Sequence, residues 1–188
     1  MRIISGEFKG LKLQFSDNKS VRPLKDIARE GIFNLLTHSN KISLEFKKSK
    51  VLDLYSGTGS FGLECLSRQV KNVFFVEKNK DTIEILNKNI EKLRVKKKIK
   101  IFNDDVFHFV EKKIFDFKFD LIFCDPPFKE ERSNDLIESI FKKNFLKKNG
   151  ILVLHRKKDS KDVFFKQFNI FEERIYGLSK IIFAKFLT

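Results

Sequence analysis

At 188 residues the chain is long enough for one domain with a sizeable core and too short for two large ones. Its 39 basic against 25 acidic residues, a formal charge of +14 and a pI near 9.7, favour a partner that carries phosphate. Only 8 of the basic residues are arginine, and the abundance of Lys, Phe, Ile and Asn also fits an A+T-rich coding sequence. No run approaches 18 apolar residues and the first ten residues hold no apolar stretch, so the expectation is a cytoplasmic chain with no leader and no membrane contact. Cys65 and Cys124 lie far apart, with no second Cys or His at ligand spacing, and His38 and His108 stand in no cluster. Reduced thiols and no metal are expected.

In chain order, residues 2–15 ("RIISGEFKGLKLQF") alternate loosely around two glycines, which predicts a short hairpin. After Pro23, the apolar positions Leu24, Ile27, Ala28, Ile32, Leu35 and Leu36 repeat at helical spacing and leave Lys25 and Arg29 off the stripe. The first 50 residues hold 11 basic and 5 acidic side chains. They read as a small basic N-terminal extension, residues 1–49, that ends in a polar loop from His38 to Lys50. From there strand-like runs (Val51–Tyr55, Val73–Val76, Ile99–Phe102, Leu121–Cys124, Ile151–Leu154) alternate with helical patterns, most clearly Asp81–Leu93. Such alternation predicts an α/β domain, residues 50–188, built on a mostly parallel sheet covered on both faces. The tail, "FNIFEERIYG" and "SKIIFAKFL", meets at Gly177 and Leu178 and predicts a closing antiparallel hairpin, which brings the strands to seven.

Gly57, Gly59 and Gly62 stand in G-x-G-x-x-G spacing between the first strand and a helix, where the backbone can approach a ligand and helix amides face it. Glu77, 20 residues after Gly57, ends the second strand at the position that meets ribose hydroxyls. Asp53 sits four residues before Gly57; its carboxylate suits an ammonium and a sulfonium and would repel a pyrophosphate. Asp105, after the third strand, is placed to meet an adenine amine. Together these acids point to S-adenosylmethionine rather than a dinucleotide.

At the fourth strand, "LIFCDPPFKEE" places Asp125, Pro126, Pro127 and Phe128 beyond a buried run. An exocyclic amine on a nucleobase is a poor nucleophile because its lone pair is conjugated with the ring. Asp125 and the Pro126 carbonyl, its direction braced by two fixed φ angles, can each accept one amine hydrogen, while Phe128 offers a stacking face to a flipped base.

"IFCDPPF" resembles the exocyclic-amino methyltransferase motif. Preceded by "RIISGEFKGLKL", "RPLKDIAREGIFNLL" and "DLYSGTGSFGLECLSR", the chain resembles, over nearly its whole length, the RsmD family of 16S rRNA guanine-N2 methyltransferases. The resemblance implies a class I (Rossmann-like) methyltransferase fold and S-adenosylmethionine as donor. It also implies a guanine of 16S rRNA as acceptor, free or in a partly assembled small ribosomal subunit; the chain itself is expected to be a monomer. By motif, Asp53, Gly57, Gly59, Glu77 and Asp105 would bind the cofactor, and Asp125, Pro126 and Phe128 the amine. Arg22 and Arg29 are expected to meet RNA phosphate. The chain departs from the family at Leu24, where a threonine is expected after "RP", and at His155, where the family tends to be acidic; His155 reads as solvated and takes no role. The basic runs Arg94–Lys100, Lys142–Lys148 and Arg156–Lys158 read as solvated ends and loops. Alternatives are adenine-N6 methylation of DNA or RNA, a non-catalytic RNA-binding assembly protein, and, more distantly, a dinucleotide-dependent hydride transferase.

Overall fold

The computed structural model describes residues 1–15, 24–112 and 115–187. Helix α1 (Asp26–His38) precedes strand β1 (Lys50–Leu54). Then follow α2 (Ser60–Ser67), β2 (Asn72–Glu77), α3 (Lys80–Leu93), β3 (Ile99–Asn103), α4 (Val106–Lys112), β4 (Phe119–Cys124), α5 (Ser133–Lys142), β5 (Leu146–Lys157), β6 (Phe168–Tyr176) and β7 (Ser179–Phe186). The seven strands form one sheet in the order β3-β2-β1-β4-β5-β7-β6. The first five neighbours run parallel, and β7 pairs antiparallel with both β5 and β6. This is the expected mostly parallel seven-stranded α/β sheet with its antiparallel hairpin. The strand order reverses between β1 and β4, and in open α/β sheets ligands bind beyond the carboxyl ends of the strands at such a switch point.

Side-chain alternation divides the core. Val51, Phe123, Val153, Ile181 and Phe183 face a layer made by α1, α2, α3 and the N-terminal segment. Leu52, Leu54, Ile122, Leu152 and Ile182 face α4 and α5. On the first face Phe33, Phe61 and Phe123 form a stacked column from α1 through α2 to β4, with centroids 5.1 and 4.0 Å apart. Such pairs contribute roughly 0.5–1.5 kcal/mol each beyond their buried area.

Residues 2–15 form the expected short hairpin, held by hydrogen bonds from the Ile3 amide to the Leu11 carbonyl, from the Leu13 amide to the Met1 carbonyl and from the Gly10 amide to the Ile3 carbonyl. A single antiparallel bridge joins Arg2 and Lys12, and the turn clasps the last turn of α2. Ile4 and Ser5 donate their amides to the fully buried Glu64 carboxylate at 2.7 and 3.0 Å. Glu7 and Phe8 donate to the Ser67 carbonyl and hydroxyl, and the Ser67 hydroxyl donates to the Ser5 carbonyl. Gly6, at φ +86°, passes so close that a Cβ there would lie 2.1 Å from the Ser67 oxygen. Apolar residues of the 1–49 segment (Ile3, Leu13, Leu24, Ile32, Phe33) are buried in the same core as β1, β4 and β5, so the described part of the segment shares the core of the sheet.

Helix α1 buries Ala28, Arg29, Ile32, Phe33 and Leu36, and leaves Ile27 64% exposed. The buried stripe is therefore rotated toward Arg29 and Phe33 relative to the one read from periodicity. Two contacts set the rotation: Phe33 enters the aromatic column, and Gly31 takes the ring of Tyr176, whose hydroxyl would lie 1.9 Å from a Cβ at that position. Strand β5 is longer than the apolar run Ile151–Leu154, because Phe119 of β4 pairs with Leu146 across an irregular register and the backbone continues through exposed Lys147 to Asn149.

Candidate active site

The glycine loop leaves β1 through Tyr55 at φ +58°, turns with Gly57 at φ +55° and Gly59 at φ +89°, and opens α2. Gly62 serves packing: a Cβ there would lie 2.2 Å from the Phe75 ring, so only glycine lets α2 approach β2 this closely. Asp53 is buried on the α2 face of β1, and its Oδ2 accepts the Gly62 amide at 2.9 Å. Glu77 ends β2 with Oε2 accepting the Gly57 amide at 3.0 Å and Oε1 accepting the Asn79 amide at 2.8 Å. A carboxylate offers about four acceptor positions, so Glu77 can brace the loop and still meet a ligand hydroxyl. Asp105 caps the start of α4 by accepting the Phe107 amide at 3.0 Å; the rest of its half-exposed carboxylate lies 3.6 Å from the Lys78 ammonium.

Burial pushes the Asp53 carboxyl well above the usual carboxylate range; the Gly62 amide opposes this, and the charges of Asp125 and Glu77 add to it. A carboxyl whose folded pKa exceeds its unfolded one holds an extra proton in the native state. Its contribution to stability is present at low pH and is lost as pH rises past the unfolded value of about 4. Asp53→Asn keeps an oxygen for the Gly62 amide and removes the buried charge. Chemical denaturation should show the variant stabilised by on the order of 1–3 kcal/mol at about pH 8, with a smaller gain at about pH 5. An equal gain at both values would contradict the assignment.

Two hydroxyls in this region lack partners. The Tyr55 and Ser56 hydroxyl oxygens are buried and, among the described residues, make no hydrogen bond. Burial, with the neighbouring Cys124, Glu130 and Asp105, raises the Tyr55 phenol far above its ordinary value, against the pull of Arg132. Unpaired buried hydroxyls beside a glycine loop fit a polar ligand that completes them.

At the switch point the Asp125 amide donates to the Leu54 carbonyl at 3.3 Å, which seats the "DPPF" stretch directly against the end of β1. Pro126 is buried, while Asp125 and Phe128 are half-buried. Asp125 is not alone. Its Oδ1 lies 2.7 Å from Nδ1 of His155, and Nε2 of His155 lies 2.8 Å from the Ser179 hydroxyl. His155 is 6% exposed, so its reading as a solvated side chain is corrected: Leu154 pairs with Cys124, which sets His155 beside Asp125, and β7 covers it.

Other residues close the site. Arg156 is buried, with Nε on both Asp162 carboxylate oxygens at 3.0 and 3.1 Å and one terminal nitrogen on the Glu130 carbonyl at 2.8 Å. It braces the loop after "DPPF" and is no solvated cation. The fully buried Asn89 of α3 exchanges hydrogen bonds with the Gln14 backbone and donates to the Thr58 carbonyl, tying the N-terminal segment to the glycine loop.

The two arginines expected at RNA fare differently. Arg22 lies outside the described residues. Arg29 is fully buried, its guanidinium donating to the Arg2 carbonyl at 2.6 Å and to Asp26 at 2.8 Å, so it presents no cation to a phosphate. Burial lowers its pKa from the ordinary value, opposed by the charges of Asp26 and Glu64. The run Arg94–Lys100 leads into the start of β3, the rim opposite the site, whereas exposed Lys157 and Lys158 stand on the site's own rim. Among the described residues no three His, Cys, Asp or Glu side chains converge as a metal site, and no helix is long and apolar enough to cross a membrane.

A family model described as "Conserved hypothetical protein 95" matches residues 1–185, and a relative named ribosomal RNA small subunit methyltransferase D, from Haemophilus influenzae, is 30% identical over 95% of this chain and 90% of its own. The chain belongs to the RsmD family. A second member, of the same name and from Escherichia coli, is 32% identical over 81% of this chain and 69% of its own. The solved structure of HI0767 from Haemophilus influenzae is 28% identical, with a TM-score of 0.81 over 100% of this chain and 98% of that one. That of yhhF from Escherichia coli shares the fold at 22% identity, with a TM-score of 0.84 over 100% and 98%. The RsmD assignment brings with it a class I methyltransferase fold and the need for a methyl donor.

Proposed function

We propose that the chain transfers a methyl group from S-adenosylmethionine to the exocyclic N2 amine of a guanine in small-subunit rRNA. The observation that supports this reading is the Asp125 to Leu54 contact, which sets Asp125 against the end of the strand that feeds the glycine loop. When bound, S-adenosylmethionine supplies a methyl group already activated on a sulfonium, so no covalent enzyme intermediate is needed and alignment is the main task.

The residues divide that task. Asp53 would hold the donor's ammonium, Glu77 the ribose hydroxyls and Asp105 the adenine amine, with the backbone at Gly57 and Gly59 giving close approach. Asp125 and the Pro126 carbonyl would each accept a hydrogen of the guanine amine. This pulls the nitrogen toward a tetrahedral shape and frees its lone pair to attack the methyl carbon in line with the leaving sulfur, which would take the bonding pair, while the methylated amine sheds its surplus proton to solvent. Phe128 would stack on the flipped base, a contact worth roughly 1–3 kcal/mol. The exposed Lys157 and Lys158, on the same rim, suit the incoming phosphates better than Arg29 does.

Purified protein, labelled S-adenosylmethionine and small-subunit rRNA from cells lacking the protein should give label in N2-methylguanosine after nucleoside digestion. Label in N6-methyladenosine would replace this reading with adenine methylation. Donor binding without transfer to free rRNA or to partly assembled subunits would point to an assembly role.

A further inference from the structure

We infer that His155 is a positioning residue for the acceptor amine: it holds Asp125 in the orientation that leaves one carboxylate oxygen for the amine, and Ser179 in turn holds His155. The inference rests on the methyl-transfer reading of the site.

The geometry is specific. Asp53, Asp125, His155 and Ser179 come from β1, the end of β4, β5 and β7, neighbouring strands, and extend the alternation that places Val51, Phe123, Val153 and Ile181 on one face of the sheet. A carboxylate only accepts, so Nδ1 of His155 carries the proton shared with Asp125 Oδ1, and in the neutral ring Nε2 accepts from the Ser179 hydroxyl. The ring is thereby fixed at both nitrogens. His155 also meets Phe128 edge to face, with centroids 5.4 Å apart at 79°. One buried side chain thus touches both the acceptor of the proposed amine clamp and its stacking face.

Asp125 follows the last strand residue and would otherwise be free to rotate about χ1 and χ2. With Oδ1 committed to His155, Oδ2 is left for the amine. Tilting an acceptor away from a reacting group costs rate without costing donor affinity, because the donor's own contacts lie on β1, β2 and the loop after β3. His155 therefore acts on kcat through Asp125, and Ser179 acts through His155.

The test is a double-mutant cycle with single-turnover methyl incorporation into rRNA from labelled S-adenosylmethionine, and with donor binding measured by calorimetry. His155→Leu should lower the transfer rate by about tenfold to a hundredfold, the expected loss for a hydrogen bond to a charged group, with donor Kd within about twofold of wild type. His155→Asn, whose amide nitrogen falls near the Nδ1 position, should recover most of that rate. In an Asp125→Ala background His155→Leu should cost nothing further. If His155→Leu does not fold, Ser179→Ala, which leaves the imidazole in place, should show the same pattern with a smaller loss. An unchanged rate, an equal loss in the Asp125→Ala background, or a rate loss matched by weakened donor binding would overturn the inference. Failure of the wild-type chain to methylate rRNA would instead fall on the proposed function.

Discussion

Asp125→Ala is expected to reduce methyl transfer by about 10²–10³-fold, the range seen when one preorganised polar contact to the reacting group is removed. The proposed donor contacts (Asp53, Glu77 and Asp105) lie on β1, β2 and the loop after β3, so donor Kd should stay within a few fold. Asp125 Oδ1 is held by His155 and its amide by the Leu54 carbonyl, so truncation leaves the backbone clamp and removes one of the two proposed acceptors. Single-turnover rates with saturating rRNA separate the two quantities. Equal losses in rate and donor affinity would mean that Asp125 supports the cofactor pocket rather than the amine.

The second large effect falls on stability. Glu64 is fully buried, and its two oxygens accept the Ile4 amide at 2.7 Å, the Ser5 amide at 3.0 Å and Arg68 Nε at 3.0 Å. Glu64→Ala would orphan two backbone donors and leave a poorly solvated guanidinium, the kind of half-removed pair that costs about 3–5 kcal/mol. Urea unfolding should show that loss, and hydrogen exchange at residues 3–8 should accelerate ahead of the sheet. Because this clasp sits at the far end of the helix that the glycine loop opens, donor affinity should fall too. A stability loss below about 1 kcal/mol would show that the apolar contacts of Ile3, Leu13 and Phe33 suffice to seat the segment.

What the sequence disclosed follows from how local each signal is. The strands, α3, the glycine loop and "DPPF" are runs of neighbouring residues, and each announces itself by period or by a turn residue. Glu77 and Asp105 follow from their places at strand ends. His155 could not be read this way: its meaning depends on β5 lying beside β4 in a particular register, with β7 covering it, and nothing within ten residues of it reports either fact. The same holds for Asn89 and Glu64, polar residues on amphipathic helices whose partners lie 75 and 60 residues away. Arg29 misled because helical period assigns one buried stripe, while α1 is covered by the N-terminal loop as well as by the sheet. One hint at position 155 was visible, a histidine closing the apolar run Ile151–Leu154, and it gains a meaning only beside Asp125 and Ser179.

The most direct measurement of the central claim is mass mapping of small-subunit rRNA from three strains: one carrying the wild-type gene, one Asp125→Ala at normal protein levels, and one with the gene deleted. One guanine should carry an N2-methyl group in the first strain and be unmodified in the other two. A guanine still methylated in the Asp125→Ala strain, or a modification pattern that does not change on deletion, would contradict it.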